Sequence, residues 1–91
     1  MKDVDVDKKL YTIWCNILNI EKCNFDDNFF DLGGTSLAAM RLIDEINAKF
    51  DVDLDWVAFF YSPSIERVSY IINSLRIASR LSGDGREEMT F

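Results

Sequence analysis

The chain has 91 residues, of which 48% are hydrophobic and 29% are charged, and this length leaves room for one small domain with a single core. Its formal net charge is −6 and its ten basic residues are scattered, which argues against the clustered positive surface that nucleic-acid binding requires. It contains no histidine, so Ser-His-Asp and Cys-His catalysis are excluded within the chain, and its two cysteines offer a poor start for a metal site.

The first predicted element is a helix over residues 6–19. Apolar residues recur there with the spacing of one buried helix face: Leu10, Ile13, Trp14, Ile17 and Leu18. Residues 20–35 are rich in Asn, Asp and Gly, which predicts a long loop. A loop of this length in a small domain is unusual unless it is packed or functional. Its apolar residues predict that it packs onto the core: Phe25, Phe29, Phe30 and Leu32.

The second predicted helix runs over residues 36–50. Its core stripe follows helical spacing and consists of Ala39, Leu42, Ile43, Ile46 and Phe50. Leu37 and Met40 fall outside that stripe, so we expect both side chains to point outward. Apolar side chains on an outer face gain nothing in a monomer unless a partner covers them.

The remaining elements are a short helix and a long one. "WVAFFY" predicts a short third helix, and Pro63 then breaks the chain. Ser64 is placed to cap the last helix, with Glu66 in its first turn and Gly83 as its stop. Its predicted core residues are Ile65, Val68, Ile72 and Leu75.

The fold expected from these elements is all-α: a small four-helix bundle with three main helices, a short third helix, and a long loop between helices one and two. We expect residues 1–5 to be an N-terminal tail, 6–81 the domain, and 82–91 a C-terminal tail or linker.

Several short motifs are incomplete. "DVDVD" and "DVDLD" resemble the start of a calcium loop, but neither has the Gly at position six and the Glu at position twelve that an EF-hand needs. "GTSLA" lacks the second glycine of a nucleophile elbow, and "LGGTS" lacks the lysine of a phosphate-binding loop. Cys15 and Cys23 are expected to be small packed side chains. We therefore expect no catalytic residues and no metal site.

Ser36 admits two interpretations. In the first, Gly33 and Gly34 make a tight turn, and Thr35 or Ser36 caps the following helix. In the second, Ser36 is an attachment point. The start of a helix has free backbone N–H groups that favour a phosphate, and two glycines give a large partner access to the hydroxyl.

A longer stretch resembles a known family. "DDNFFDLGGTSLAAMRLIDEINAKFDVDL" resembles the thiolation motif of the peptidyl carrier domains of nonribosomal peptide synthetases, and "FFYSPSIERVSYII" is similar to their third helix and the start of the fourth. The resemblance covers roughly residues 8–75. One position departs from it: the family most often has His or Asp before the serine, whereas this chain has Thr35.

The resemblance implies a four-helix bundle whose serine, here Ser36, receives 4′-phosphopantetheine from coenzyme A through a separate Mg²⁺-dependent transferase. The arm would carry an aminoacyl or peptidyl group as a thioester, with Gly33, Gly34 and Thr35 shaping the turn. Implied partners are the phosphopantetheinyl transferase and adenylation, condensation, tailoring or thioesterase domains. The implied partner contacts are Leu37, Met40 and Arg41.

Two alternatives remain at this point. The first is an acyl or aryl carrier of a polyketide or related pathway, and the second is an unmodified helical adaptor that binds through Leu37 and Met40. In every case we expect a non-catalytic monomer in the cytoplasm that binds neither nucleic acid nor membranes. We expect no export signal, because the first ten residues are charged and include no apolar stretch, and no apolar run is long enough to span a bilayer.

Overall fold

Four helices make up the part of the chain that the computed structural model describes, residues 4–81, and no strand occurs within that range. They are α1 (Val4–Leu18), α2 (Ser36–Phe50), α3 (Trp56–Tyr61) and α4 (Ile65–Leu81). Helix α1 packs against both α2 and α4. The predicted all-α architecture is confirmed. Within residues 4–81, none of the helices combines the length and the apolarity needed to cross a bilayer.

The helix ends follow local chemistry. The predicted bounds of α2 and α3 are confirmed, whereas α1 begins at Val4, two residues before its expected start. Helix α1 ends because Asn19 adopts φ 56°, a left-handed conformation that asparagine tolerates, and Ile20 N–H then donates to the Cys15 carbonyl at 3.0 Å. Ser64 caps α4 as predicted, since its Oγ accepts the Arg67 N–H at 3.3 Å.

Three aromatic side chains form the centre of the core. Trp14 of α1, Phe29 of the α1–α2 loop and Phe59 of α3 are fully buried, and their ring centroids lie 5.5–5.9 Å apart. Tilted and edge-on contacts at this distance are favourable for aromatic pairs.

The prediction that the loop packs onto the core is confirmed for Phe29, Phe30 and Leu32. It was wrong for Phe25, which is 40% exposed because its ring lies against Tyr11 at the surface. The burial of the whole α2 stripe is confirmed.

The contact between α1 and α4 combines apolar packing with a buried hydrogen bond. The fully buried apolar residues of these two helices are Val6, Leu10, Trp14, Ile65, Val68 and Ile72. Between the helices, Ser69 Oγ donates a hydrogen bond to the buried Asp7 carboxylate. Within α4, Asn73 Nδ2 donates to the Ser69 carbonyl at 2.9 Å. Buried polar groups need such partners because an unpaired one loses its hydration without compensation.

The prediction for Leu75 was wrong. Its side chain is 37% exposed, because this turn of α4 lies beside an open groove that Phe50 and Val52 border at the end of α2. The expected stop at Gly83 and the tail 82–91 lie outside the described residues.

Candidate functional site

Ser36 is the first residue of α2, and its side chain is exposed. The residue before it, Thr35, is the N-cap: its Oγ1 accepts the Ala38 N–H at 3.1 Å, and its carbonyl accepts the Ala39 N–H at 2.9 Å. The sequence allowed either Thr35 or Ser36 to cap α2, and the structure shows that Thr35 does so. This arrangement leaves the Ser36 hydroxyl outside the cap.

The backbone around Ser36 offers hydrogen-bond donors. Among residues 4–81, no acceptor contacts the backbone N–H of Ser36 or of Leu37. Such N–H groups at the start of a helix carry partial positive charge and point outward, which suits the negative oxygens of a phosphodiester. An exposed hydroxyl beside two free donors therefore fits a group attached through phosphate.

Gly34 is required by a close approach of Phe29. A Cβ added at Gly34 would come within 2.2 Å of the Phe29 ring and 2.8 Å of the Phe29 carbonyl oxygen. Real Cβ atoms do not approach other heavy atoms so closely, so a side chain here would force the backbone to shift. The same carbonyl accepts the Gly34 N–H at 3.0 Å, which places Gly34 directly against the aromatic core.

Gly33 is required for a different reason. Its φ is +104°, a conformation that side chains disfavour, but no atom lies within 4 Å of the position where a Cβ would be. The space beside Gly33 is open. Gly34 thus lets the turn pack against the core. Gly33 allows the chain to reverse and leaves open space beside the turn that leads to Ser36.

The loop before Ser36 contains a turn at residues 28–30 and is hydrogen-bonded to the start of α4. Asn28 Oδ1 accepts the Phe30 N–H at 2.8 Å, and Phe29 N–H donates to the Pro63 carbonyl at 2.8 Å. Further back in the loop, the Phe25 carbonyl accepts the Glu66 N–H at 3.0 Å. These links to the start of α4 were not predicted from the sequence. Asn28 was a signal for the local turn alone, since asparagine side chains often bond to backbone two residues ahead.

Apolar and basic side chains flank Ser36 on the outer face of α2. Leu37 is 69% exposed and Met40 is 46% exposed, which confirms their predicted outward placement, and Arg41 is exposed as well. The structure thus brings these three to the same end of α2 as Ser36.

The exposed side of α3 was not predicted from the sequence, where "WVAFFY" indicated only a short third helix. Phe30 of the loop stacks on Phe60 at 5.4 Å, and Phe60 stacks on Trp56 at 5.0 Å. Val57 and Tyr61 extend this surface with 71% and 88% exposure. Phe59 is the buried residue of α3, and most of the other apolar side chains of this helix are exposed to solvent.

Metal ligation has no support in this region. Across residues 4–81, no three His, Cys, Asp or Glu side chains come together in a way that could hold a metal ion. The chemistry available at the site is that of one hydroxyl, two backbone donors and an exposed apolar surface.

Comparison with known proteins agrees with this geometry. Residues 8–70 match the model of the family described as a phosphopantetheine attachment site. A segment of Gramicidin S synthase 2 from Brevibacillus brevis is 41% identical over 68 residues, which is 75% of this chain but only 2% of the synthase. The chain thus spans a small fraction of the synthetases that it matches.

Two solved structures share the fold. A peptidyl carrier protein in complex with the phosphopantetheine transferase Sfp and coenzyme A has a TM-score of 0.73 and 29% identity, over 76% of this chain and 90% of that one. The solution structure of a prototype peptidyl carrier domain of modular peptide synthetases has a TM-score of 0.71 and 29% identity, over 80% and 96% of the two chains. The chain therefore belongs to the phosphopantetheine-attachment family and is a peptidyl carrier, or thiolation, domain.

Proposed function

We propose that Ser36 Oγ is the atom to which 4′-phosphopantetheine is attached, and that the loaded domain carries aminoacyl or peptidyl groups in nonribosomal peptide synthesis. The observation that carries this proposal is that the two neighbouring hydroxyls at the start of α2, those of Thr35 and Ser36, are in different situations. Thr35 caps the helix, so the exposed Ser36 hydroxyl is available for another use.

The attachment step needs a nucleophile and a base. Ser36 Oγ would form a phosphodiester with the pantetheine half of coenzyme A, and the adenosine bisphosphate half would leave. The serine proton must pass to a base on the transferase, because the chain contains no histidine. The free N–H groups of Ser36 and Leu37 would stabilise the charge of the new phosphodiester, and the turn at Gly33 and Gly34 keeps the hydroxyl accessible.

The attached arm supplies a terminal thiol that holds the acyl group as a thioester. A tether of this kind keeps its cargo at a high effective concentration near any enzyme that binds the domain. The similarity to synthetase segments and to carrier proteins of this type supports aminoacyl or peptidyl cargo, delivered between adenylation, condensation, tailoring and thioesterase domains.

Partner binding would use the exposed residues beside the serine. Leu37 and Met40 provide apolar contacts and Arg41 a positive charge. A small patch suits the weak, reversible docking that a carrier needs when it visits several enzymes in turn. The transferase and the loading enzyme would approach this same end of α2.

The domain itself would be non-catalytic. Its expected extent, residues 6–81, is supported by the core residues from Val6 to Ile72 and by the family match over 8–70, and α1 extends it at the N-terminal side to Val4. We place its action in the cytoplasm, where Cys15 and Cys23 would stay reduced.

The test is intact-protein mass spectrometry after incubation with coenzyme A, Mg²⁺ and a broad-specificity phosphopantetheinyl transferase. The parent chain should gain the mass of one phosphopantetheinyl group, and the Ser36→Ala variant should gain none. Ser74→Ala is the matched control, because it removes an exposed helical serine hydroxyl on α4 and should load like the parent.

A folded parent chain that gains no mass, while the same transferase loads another carrier, would contradict the proposal. Loading of Ser36→Ala would instead place the attachment at a different hydroxyl.

A further inference from the structure

A groove between α1 and α2 gathers basic side chains that are far apart in the sequence. It encloses about 310 Å³ and is lined by residues of these two helices, which pack against each other. Lys8 and Lys9 line it from the first half of α1, and Lys49 lines it from the last turn of α2. All three side chains are exposed. Helix packing thus brings together three of the ten basic residues of the chain.

The groove carries an excess of positive charge. Within residues 4–81, its lining includes one acidic residue, Glu45, one turn before Lys49 on α2. Asp5 and Asp44 are exposed on the same two helices but do not line the groove. Three ammonium groups therefore share the groove with one carboxylate. The chain as a whole has a net charge of −6, so the local excess is opposite in sign to the charge of the whole molecule.

The rest of the lining suits a peptide. Ile13, which is 5% exposed, supplies an apolar floor, and Asn16 supplies an exposed amide one turn further along α1. The Thr12 hydroxyl is already used within the helix, since its Oγ1 donates to the Lys8 carbonyl at 3.1 Å. A side-chain amide can pair with both the N–H and the carbonyl of a peptide, and an apolar floor can cover an apolar side chain.

We propose that this groove, the α1–α2 groove, binds a short acidic peptide segment of a partner protein, with carboxylates beside the lysines and an apolar side chain over Ile13. Charge complementarity is the argument for this occupant, because a positive groove in an acidic chain attracts carboxylates that the net charge of the chain repels. Nucleic acid is a poorer match. Affinity for its backbone grows with the number of phosphates neutralised, and three lysines neutralise few.

The α1–α2 groove is separate from the start of α2. Glu45 and Lys49 follow Ser36 on the same helix by nine and thirteen residues, which corresponds to about 14 and 20 Å along the helix axis. A peptide in the groove would therefore leave the Ser36 hydroxyl accessible. The proposal does not depend on attachment at Ser36, and variants of the groove lysines should accept phosphopantetheine as the parent chain does.

The experiment is an NMR titration of the folded, full-length, nitrogen-15-labelled chain with the peptide acetyl-Glu-Glu-Leu-Glu-Glu-amide at low ionic strength. In an extended peptide the first and last Glu point to the same side as the central Leu and lie about 13 Å apart, so they can reach lysines on both helices. We expect saturable shifts of the backbone amide signals of residues 8–16 and 45–49. The Kd should rise at higher ionic strength, because salt screens exposed charges.

Two charge reversals sharpen the test. Lys49→Glu should raise the Kd by about threefold or more, because it replaces an attraction with a repulsion. Lys22→Glu makes the same change in net charge at an exposed loop position outside the groove, and its Kd should stay within about twofold of the parent value. Lys49→Arg keeps the positive charge and should bind like the parent. Circular dichroism of each variant would show that the helices are intact.

Equal binding of acetyl-Gln-Gln-Leu-Gln-Gln-amide would overturn the proposal, because carboxylates would then not be recognised. Shifts centred on Leu37, Met40 and Arg41 would overturn it as well, since the peptide would then bind beside Ser36. The same holds for equal effects of Lys49→Glu and Lys22→Glu, and for a parent chain whose signals do not shift at millimolar peptide. A short DNA duplex that shifts the same amides at lower concentration than the peptide would assign the groove to nucleic acid instead.

Discussion

The start of α2 and the contact between α1 and α4 are built in opposite ways. At the α1–α4 contact, large apolar side chains are fully buried, and the buried Ser69 hydroxyl is paired with the Asp7 carboxylate. At the start of α2, the hydroxyl of Ser36, two backbone N–H groups and the apolar side chain of Leu37 face solvent. The side chains of the first region are buried against each other, whereas those of the second are exposed and could contact a partner.

The difference teaches how so small a domain separates stability from function. Its free energy of folding comes from a core that α1, α4, the α2 stripe and the loop phenylalanines share. The exposed groups around Ser36 contribute little to that core, so variants there should change loading more than stability. Variants on the core side should do the reverse.

The largest expected change in stability is at the α2 stripe. Ile43 is 3% exposed, so Ile43→Ala should lower the free energy of unfolding by about 2–5 kcal/mol through lost burial and a residual cavity. Chemical denaturation with circular dichroism measures it. Ile77→Ala, at a position 43% exposed on α4, is the control and should cost less than about 1 kcal/mol. If both variants lowered the free energy of unfolding equally, the assignment of Ile43 to the core and Ile77 to the surface would be wrong.

Gly34 lies between the aromatic core and the exposed start of α2. Gly34→Ala should lower the free energy of unfolding by about 1–3 kcal/mol, because the added Cβ would overlap the Phe29 ring and carbonyl. Combining it with Phe29→Leu, which removes the nearest ring atoms, should make the double variant more stable than the sum of the two single changes predicts. Strict additivity in the denaturation experiment would mean that the Phe29 ring does not impose glycine at this position.

The Thr35 cap should have a smaller effect. Thr35→Ala removes the acceptor for the Ala38 N–H and should lower stability by about 1 kcal/mol, whereas Thr35→Ser keeps a hydroxyl and should cost only a few tenths. Thermal unfolding of the two variants side by side measures the difference. Identical Tm values would mean that the cap hydrogen bond contributes nothing in solution.

The smallest expected change in stability, and the clearest one in loading, is at Met40. Met40→Asp places a charge on a side chain that is 46% exposed, so stability should change by less than about 1 kcal/mol. If Met40 contacts the transferase, kcat/KM for phosphopantetheinylation should fall by about tenfold or more. Ser74→Asp adds the same charge on exposed α4 and should load normally. Unchanged kcat/KM for Met40→Asp would remove Met40 from the docking surface.

Periodicity predicted much of the fold. The α2 stripe has five apolar residues at helical spacing, and every one of them is buried. The α1 face was predicted less completely, because Val6 stands among aspartates and its near-complete burial depends on the neighbouring α4. Leu75 fits the α4 spacing equally well and is exposed, since burial also needs a neighbour on the other side. The roles of Ser36, Leu37, Met40 and Arg41 stay predictions.

The sequence by itself determined which segments are helical and where the α2 helix begins. It also determined that two glycines and two hydroxyl residues precede the apolar part of that helix. These features depend on local spacing, capping and backbone preference, which act over a few residues. Only the tertiary structure decided that Thr35 rather than Ser36 makes the cap, that Gly34 must admit the Phe29 ring, and that the loop at Cys23 folds back onto Tyr11. Each of these depends on how distant or competing groups are placed once the chain has packed, and spacing along the chain carries no record of that placement.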